Sequence, residues 1–195
     1  MQVFHVKDAI IHVKDIDVNG WCPGLEYFEG SWIKGYCDTP TRVGRVEMVS
    51  EEGDILHTLT TNSSGEDLFE KPAYIRVDST TDNPIILVSD WGKKAVYMLD
   101  TELQLLQAFK LPLTGEPRGL SAVGGGQVLV VDDATWTLQL LDLTTGQWRA
   151  VLGEAELQHL PYSLVYNQAT RCVFVAGGGD EVRVYTLSKL LYINC

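Results

Sequence analysis

Three proline-led segments recur along this chain at almost equal spacing. Pro72-Ala-Tyr-Ile-Arg-Val, Pro117-Arg-Gly-Leu-Ser-Ala-Val and Pro161-Tyr-Ser-Leu-Val-Tyr begin 45 and 44 residues apart. Each is followed by an apolar run: Ile86 to Asp90, Val128 to Asp132, and Val173 to Ala176. A third run starts 6 residues after each of these ends, at Val96, Leu138 and Val182. A fourth follows at Leu103 to Phe109, Trp148 to Leu152 and, more weakly, Leu190 to Asn194. A looser copy begins at Pro23, 49 residues before Pro72, with later runs at Trp32 to Cys37, Arg45 to Val49 and Ile55 to Thr60. The opening stretch from Gln2 to Val13 reads as the third and fourth runs of one more copy.

The runs are short, rich in β-branched and aromatic residues, and separated by turn clusters, which is the pattern of strands. Helical periodicity is weak throughout, and the one candidate helix, Gly153 to Leu160, is too short to anchor a fold. Four strands per repeat of about 40–45 residues is the arithmetic of a β-propeller blade. A blade is a small sheet with two apolar faces, and it covers both only by packing between neighbours. The expectation is an all-β chain: one propeller region over 1–195, made of four-stranded antiparallel blades. Its approximate divisions are a half blade at 1–22 and blades at 23–71, 72–116, 117–160 and 161–195. About four blades either close a ring of their own or belong to a larger one.

The best-formed unit runs from Pro72-Ala-Tyr-Ile-Arg-Val-Asp78 through Ile86-Leu-Val-Ser-Asp90-Trp-Gly-Lys-Lys-Ala-Val96-Tyr-Met-Leu-Asp100, and it resembles an NHL repeat. The last unit, Leu160-Pro-Tyr-Ser-Leu-Val-Tyr to Val182-Arg-Val-Tyr185, is similar to the closing blade of NHL propellers in tripartite-motif (TRIM) proteins. That resemblance spans roughly 23–187 and implies a cytoplasmic interaction scaffold. Those propellers typically have about six blades, so it also implies an incomplete ring and a fragment of a longer TRIM-like protein. No cysteine- and histidine-rich RING or B-box segment and no coiled coil is visible, so ligase activity does not carry over. Leu141-Asp-Leu-Thr-Thr-Gly-Gln-Trp148 and Gly177-Gly178 look kelch-like, but the unit from Pro72 lacks both features. The terminal dipeptide of WD40 repeats is missing at the right phase.

Composition narrows the partners. The formal charge of the 195 residues is −11, a field that repels nucleic-acid backbones and anionic membranes. No apolar run approaches the ~18–20 residues of a membrane helix. Met1 to Gly20 interleaves Lys7, Asp8, Lys14, Asp15 and Asp17 with apolar residues, leaving no signal-peptide core. Cys22, Cys37, Cys172 and Cys195 show no C-x-x-C spacing, which argues against zinc or a redox motif and fits a reducing cytoplasm.

Several constellations carry possible chemistry. Asp15-Ile-Asp17-Val-Asn19-Gly20-Trp-Cys-Pro-Gly-Leu-Glu26 matches the D-x-D-x-N-G-x5-E calcium loop, with oxygen ligands around a glycine turn. Neither flank is helical, and Asp, Asn and Gly are also ordinary turn residues. His5, His12, His57 and His159 show no metal spacing; a propeller lyase or hydrolase would have to gather them around its channel. Gly124-Gly125-Gly126 has no helix behind it to complete a phosphate site. No nucleophile–base arrangement is legible, so the expected role is non-catalytic.

The turns between second and third strands line one edge of the blades. They carry Trp91-Gly-Lys93-Lys94, Ala134-Thr135-Trp136, Gly177-Gly-Gly-Asp180 and Thr39-Pro-Thr-Arg42. Tryptophan beside lysine or arginine is the composition of a binding hot spot. Trp91, Lys93, Lys94, Trp136 and Arg42 are therefore the candidate contacts to a protein or peptide partner. RNA would need the same cations gathered into one patch, against the overall charge of −11. Calcium, held by Asp15, Asp17, Asn19 and Glu26, is the alternative reading of the first acidic loop.

Overall fold

The computed structural model describes residues 2–6, 10–15, 21–38, 41, 43–80, 82–112 and 115–187, the first two segments by their backbone. The described chain is nearly all β. A hairpin of β1 (Gln2–Val6) and β2 (Ile10–Asp15) precedes three four-stranded antiparallel sheets. The first holds β3 (Trp21–Phe28), β4 (Ser31–Cys37), β5 (Gly44–Ser50) and β6 (Ile55–Leu59). The second holds β7 (Pro72–Asp78), β8 (Ile85–Asp90), β9 (Ala95–Leu99) and β10 (Leu105–Lys110). The third holds β11 (Pro117–Gly124), β12 (Gln127–Asp132), β13 (Thr137–Asp142) and β14 (Trp148–Leu152). A short helix, α1 (Glu154–Leu157), leads to a last sheet of β15 (Pro161–Asn167), β16 (Cys172–Gly177) and β17 (Val182–Thr186). Arg42, Asp17, Asn19 and the expected run from Leu190 to Asn194 lie outside the described residues.

Every described strand pairs only with its sequence neighbours, so the three four-stranded sheets are meanders of the propeller-blade kind, and the last sheet is the same meander over three described strands. Pro72, Pro117 and Pro161 each open a first strand, where a missing N–H breaks no ladder. Pairing slips just after each of them, between Pro72 and Tyr74, Pro117 and Leu120, and Pro161 and Ser163. Pro23 behaves differently. It sits inside β3, which already starts at Trp21, and the strand tolerates it because the register shifts between Trp21 and Gly24. The fourth strand of the second blade starts at Leu105, not Leu103: Leu103 has φ 61 and turns the chain inward, with 2% of its surface exposed.

The blades stack in chain order through their first strands, β3 on β7, β7 on β11 and β11 on β15. Three apolar cores fill the spaces between them. Ile33, Val46 and Met48 meet Ile75, Val88, Tyr97 and Leu99 between the first and second blades. Leu87, Val96 and Phe109 meet Leu120, Val130 and Leu141 in the next space. Leu129, Val131, Leu138 and Leu140 meet Leu164, Val173 and Val175 in the last. First strands approach so closely that a Cβ on Gly119 would lie 2.7 Å from the Cα of Ser163 in the next blade. Among the described residues the sheets do not close into a ring.

Candidate functional site

In the second and third blades the turn that follows the second strand is built by the aspartate that ends it. Asp90 is fully buried, and its carboxylate accepts three backbone N–H bonds: from Glu70 (2.7 Å), Lys71 (3.0 Å) and Lys93 (2.9 Å). Two of those donors lie in the segment entering the blade and one in the turn, so a single side chain ties the two together. Asp132 repeats the device one blade on, accepting from Glu116 N (2.9 Å), Ala134 N (3.2 Å) and Thr135 Oγ1 (2.6 Å). Burial pushes the Asp90 carboxyl above the ordinary carboxylate range, with the backbone donors pulling the other way. In the last blade the matching residue is Gly177, where any Cβ would collide with the Leu160 carbonyl. That turn therefore lacks the tie.

Lys94 (φ 55) and Trp136 (φ 52) occupy the same place in successive turns, each four residues after its aspartate and each in the left-handed region. This backbone is uncommon outside glycine, and here the tied turn imposes it. Trp136 keeps 37% of its surface exposed, whereas Trp91 is partly buried. The Trp91 ring lies between two cations: Lys71 Nζ is 3.8 Å and Arg118 Cζ 4.5 Å from its centroid. Arg118 Nε in turn donates to Asp133 Oδ2 at 2.6 Å. The indole Nε1 is buried with no acceptor.

Lys93 joins the same neighbourhood. Its amide shares the Asp90 Oδ1 atom with the amide of Lys71, and its carbonyl accepts from Lys110 Nζ at 2.9 Å. The Lys94 carbonyl accepts from Leu111 N at 3.0 Å. The junction of the second and third blades thus sets Lys71 and Arg118 against one tryptophan, with Lys110 bonded to the adjoining turn, while Asp133 pairs with Arg118 and the Glu70 side chain lies against Gly92. Tyr74 borders the cluster, its hydroxyl pKa raised by burial and further influenced by Arg118, Asp133 and Tyr162.

Of the residues expected from sequence, Trp91, Lys93 and Lys94 share one turn, and Trp136 sits on the next, connected through Arg118 and Asp133. The expected lysines are not the ones against the Trp91 ring. Lys71 and Arg118 hold that position, and sequence reasoning missed both. The signal was present: each lies beside a strand-opening proline, Lys71 before Pro72 and Arg118 after Pro117, which places it level with the turn. Seeing it required knowing that the aspartate ties the two segments together.

Glu26 of the expected calcium loop pairs with Arg76 (2.9 Å), bridging β3 and β7. Asp15 ends β2 and is described by its backbone alone. Among the described residues, no three His, Cys, Asp or Glu side chains group as metal ligands. Among them, also, no helix is long and apolar enough to cross a membrane.

No family model matches the sequence, and no curated protein matches it. Solved structures do, 518 chains in all, so the architecture is common and speaks for fold alone. One is the crystal structure of the computationally designed Ika4 protein, at 15% identity and TM-score 0.59, matching 89% of this chain and 96% of that one. Another is U3-55K, at 16% identity and TM-score 0.67, matching 85% of this chain but 49% of that one. This chain therefore spans about half the length of the U3-55K chain.

Proposed function

We propose that this chain is a non-catalytic propeller interaction module that binds a protein partner through the edge carrying the Trp91 and Trp136 turns. The observation behind this reading is the Trp91 ring with Lys71 and Arg118 stacked on it, in a turn whose Lys93 carbonyl holds Lys110. Lys71 and Lys110 beside this tryptophan, with Lys93 and Lys94 in its turn, suit an acidic peptide segment. The exposed Trp136 offers a rigid apolar contact at small entropic cost. The resemblance of the repeats to NHL units supports the same kind of role.

The test is a peptide-array titration that sets acidic against basic peptides, with single-stranded RNA as a third ligand. Acidic peptides should be retained by the native chain and weakened about tenfold by Trp136→Ala or Lys93→Glu, roughly the loss of one hot spot. Circular dichroism should stay unchanged. Equal retention by the variants would overturn the reading. Preference for RNA, with steep salt dependence, would replace the peptide by a phosphate backbone.

A further inference from the structure

The second and last blades differ by two exchanged residues at one spot. In the second blade Asp90 ends β8, and Tyr97 on the next strand is 3% exposed, its hydroxyl donating to the Leu68 carbonyl at 2.9 Å. Tyr97 pairs with Val88 as Arg183 pairs with Val175, and Asp90 pairs with Pro72 as Gly177 pairs with Pro161. The last blade has therefore exchanged a carboxylate for a glycine and, beside it, a tyrosine for a guanidinium. A hollow of about 240 Å³ lies there, lined by Leu157, His159, Gly177, Gly179, Glu181 and Arg183. It is on the side of the sheet that faces the third blade, where Leu157 and Val175 join the shared core. Arg183 is only partly satisfied within it. Nη1 donates to Gln158 Oε1 at 2.9 Å, Nη2 stands 3.8 Å from Glu181 Oε2, and Nε is buried with no acceptor among the described residues. The amides that the aspartates hold in the preceding blades correspond to those of Leu160, Gly179 and Asp180. None of these three donates to an acceptor among the described residues.

We infer that this hollow is a carboxylate-binding site, in which an acidic group from outside the chain takes the role that Asp90 and Asp132 play in the preceding blades. Arginine presents a planar fork that matches a carboxylate, and the Nε–Nη2 edge is the part of the Arg183 fork not committed to Gln158. A buried N–H without an acceptor is costly, so an acceptor delivered to Nε recovers that cost on binding. Glu181 does not deliver it: its carboxylate stands beyond hydrogen-bond distance of Nη2, and its side chain is 70% exposed. The hollow has room for a carboxyl group and the carbons next to it, which suits an aspartate or glutamate side chain or a small free acid. The site stands apart from the Trp91 turn and does not rest on the role proposed for that edge.

The Arg183 Nε–H signal in a nitrogen–proton NMR spectrum of the intact chain reads the site directly. Titration with an acetylated and amidated Gly-Asp-Gly peptide, or with acetate, should move that signal to a saturable end point. Saturation by the peptide at the lower concentration assigns the carboxylate to a protein segment, and saturation by acetate at the lower concentration assigns it to a small free acid. Arg183→Lys keeps the charge but loses the fork. Binding, followed at the amides of Gly178 and Gly179, should then weaken about tenfold or more, the worth of a hydrogen bond to a charged group. Glu181→Gln removes the competing carboxylate and should tighten binding about two- to fivefold, the worth of an exposed ion pair. Circular dichroism should be unchanged in both variants. A signal that moves without saturating, full binding in Arg183→Lys, weaker binding in Glu181→Gln, or inorganic phosphate bound more tightly than either carboxylate would overturn the proposal.

Discussion

Asp90 shows what a single side chain does in this repeat. Its carboxylate accepts from three backbone amides that no other side chain is placed to satisfy. Asp90→Ala leaves those amides unpaired in a site without solvent. At about 1–3 kcal/mol for a buried group left unsatisfied, a loss of roughly 3 kcal/mol or more is expected in urea unfolding. The same change at Asp100, whose turn bonds to Glu102 and Gln104 are exposed, should be several-fold milder. The pH dependence follows from the raised pKa. A carboxyl whose folded pKa lies above its unfolded value contributes stability below the ordinary carboxylate range, and that contribution is lost as pH rises through the folded value. Asp90→Asn does not titrate, so its urea midpoint should fall less steeply with rising pH across that interval. An unchanged slope would show that another group sets it.

At the scale of the element, the tight approach of first strands decides what a blade tolerates. A methyl at Gly119 would meet the Cα of Ser163 at 2.7 Å and the amide of Leu164 at 2.9 Å, both backbone atoms that cannot rotate away. Gly119→Ala is therefore expected to destabilise by about 1–3 kcal/mol, the usual range for overpacking. Because the strain separates the third and last blades, the urea m-value should fall too, as their unfolding uncouples. The blade pattern itself was legible in sequence because it rests on alternation and proline, both local. Pro72, Pro117 and Pro161 mark first strands, and the runs from Val96, Leu138 and Val182 fall on third strands. What alternation cannot show is register. The slip after Trp21 that admits Pro23 into β3, and the left-handed Leu103 that delays β10, are decided by pairing across strands. The site was half legible for the same reason. Trp91 and Lys93 are adjacent in sequence, whereas Lys71 and Arg118 reach the ring from two other segments, brought there by Asp90 and by the packing of β7 on β11.

Across the whole molecule, stability is a sum over blades and the contacts between them, so it is graded along the chain. The second and third blades are covered on both faces; β8 and β12 contain fully buried residues such as Ile86, Leu87, Val128 and Leu129. The last blade is covered on one face, lacks the aspartate tie at Gly177, and carries exposed valines on β17. Amide exchange should therefore read as a gradient. Amides of β12 should open only with global unfolding, whereas those of β16 should open at a free energy lower by a few kcal/mol, roughly the missing share of apolar burial. Uniform protection of β12 and β16 would mean the blades unfold as one cooperative body, and the exposed face would then have no energetic consequence for the last blade.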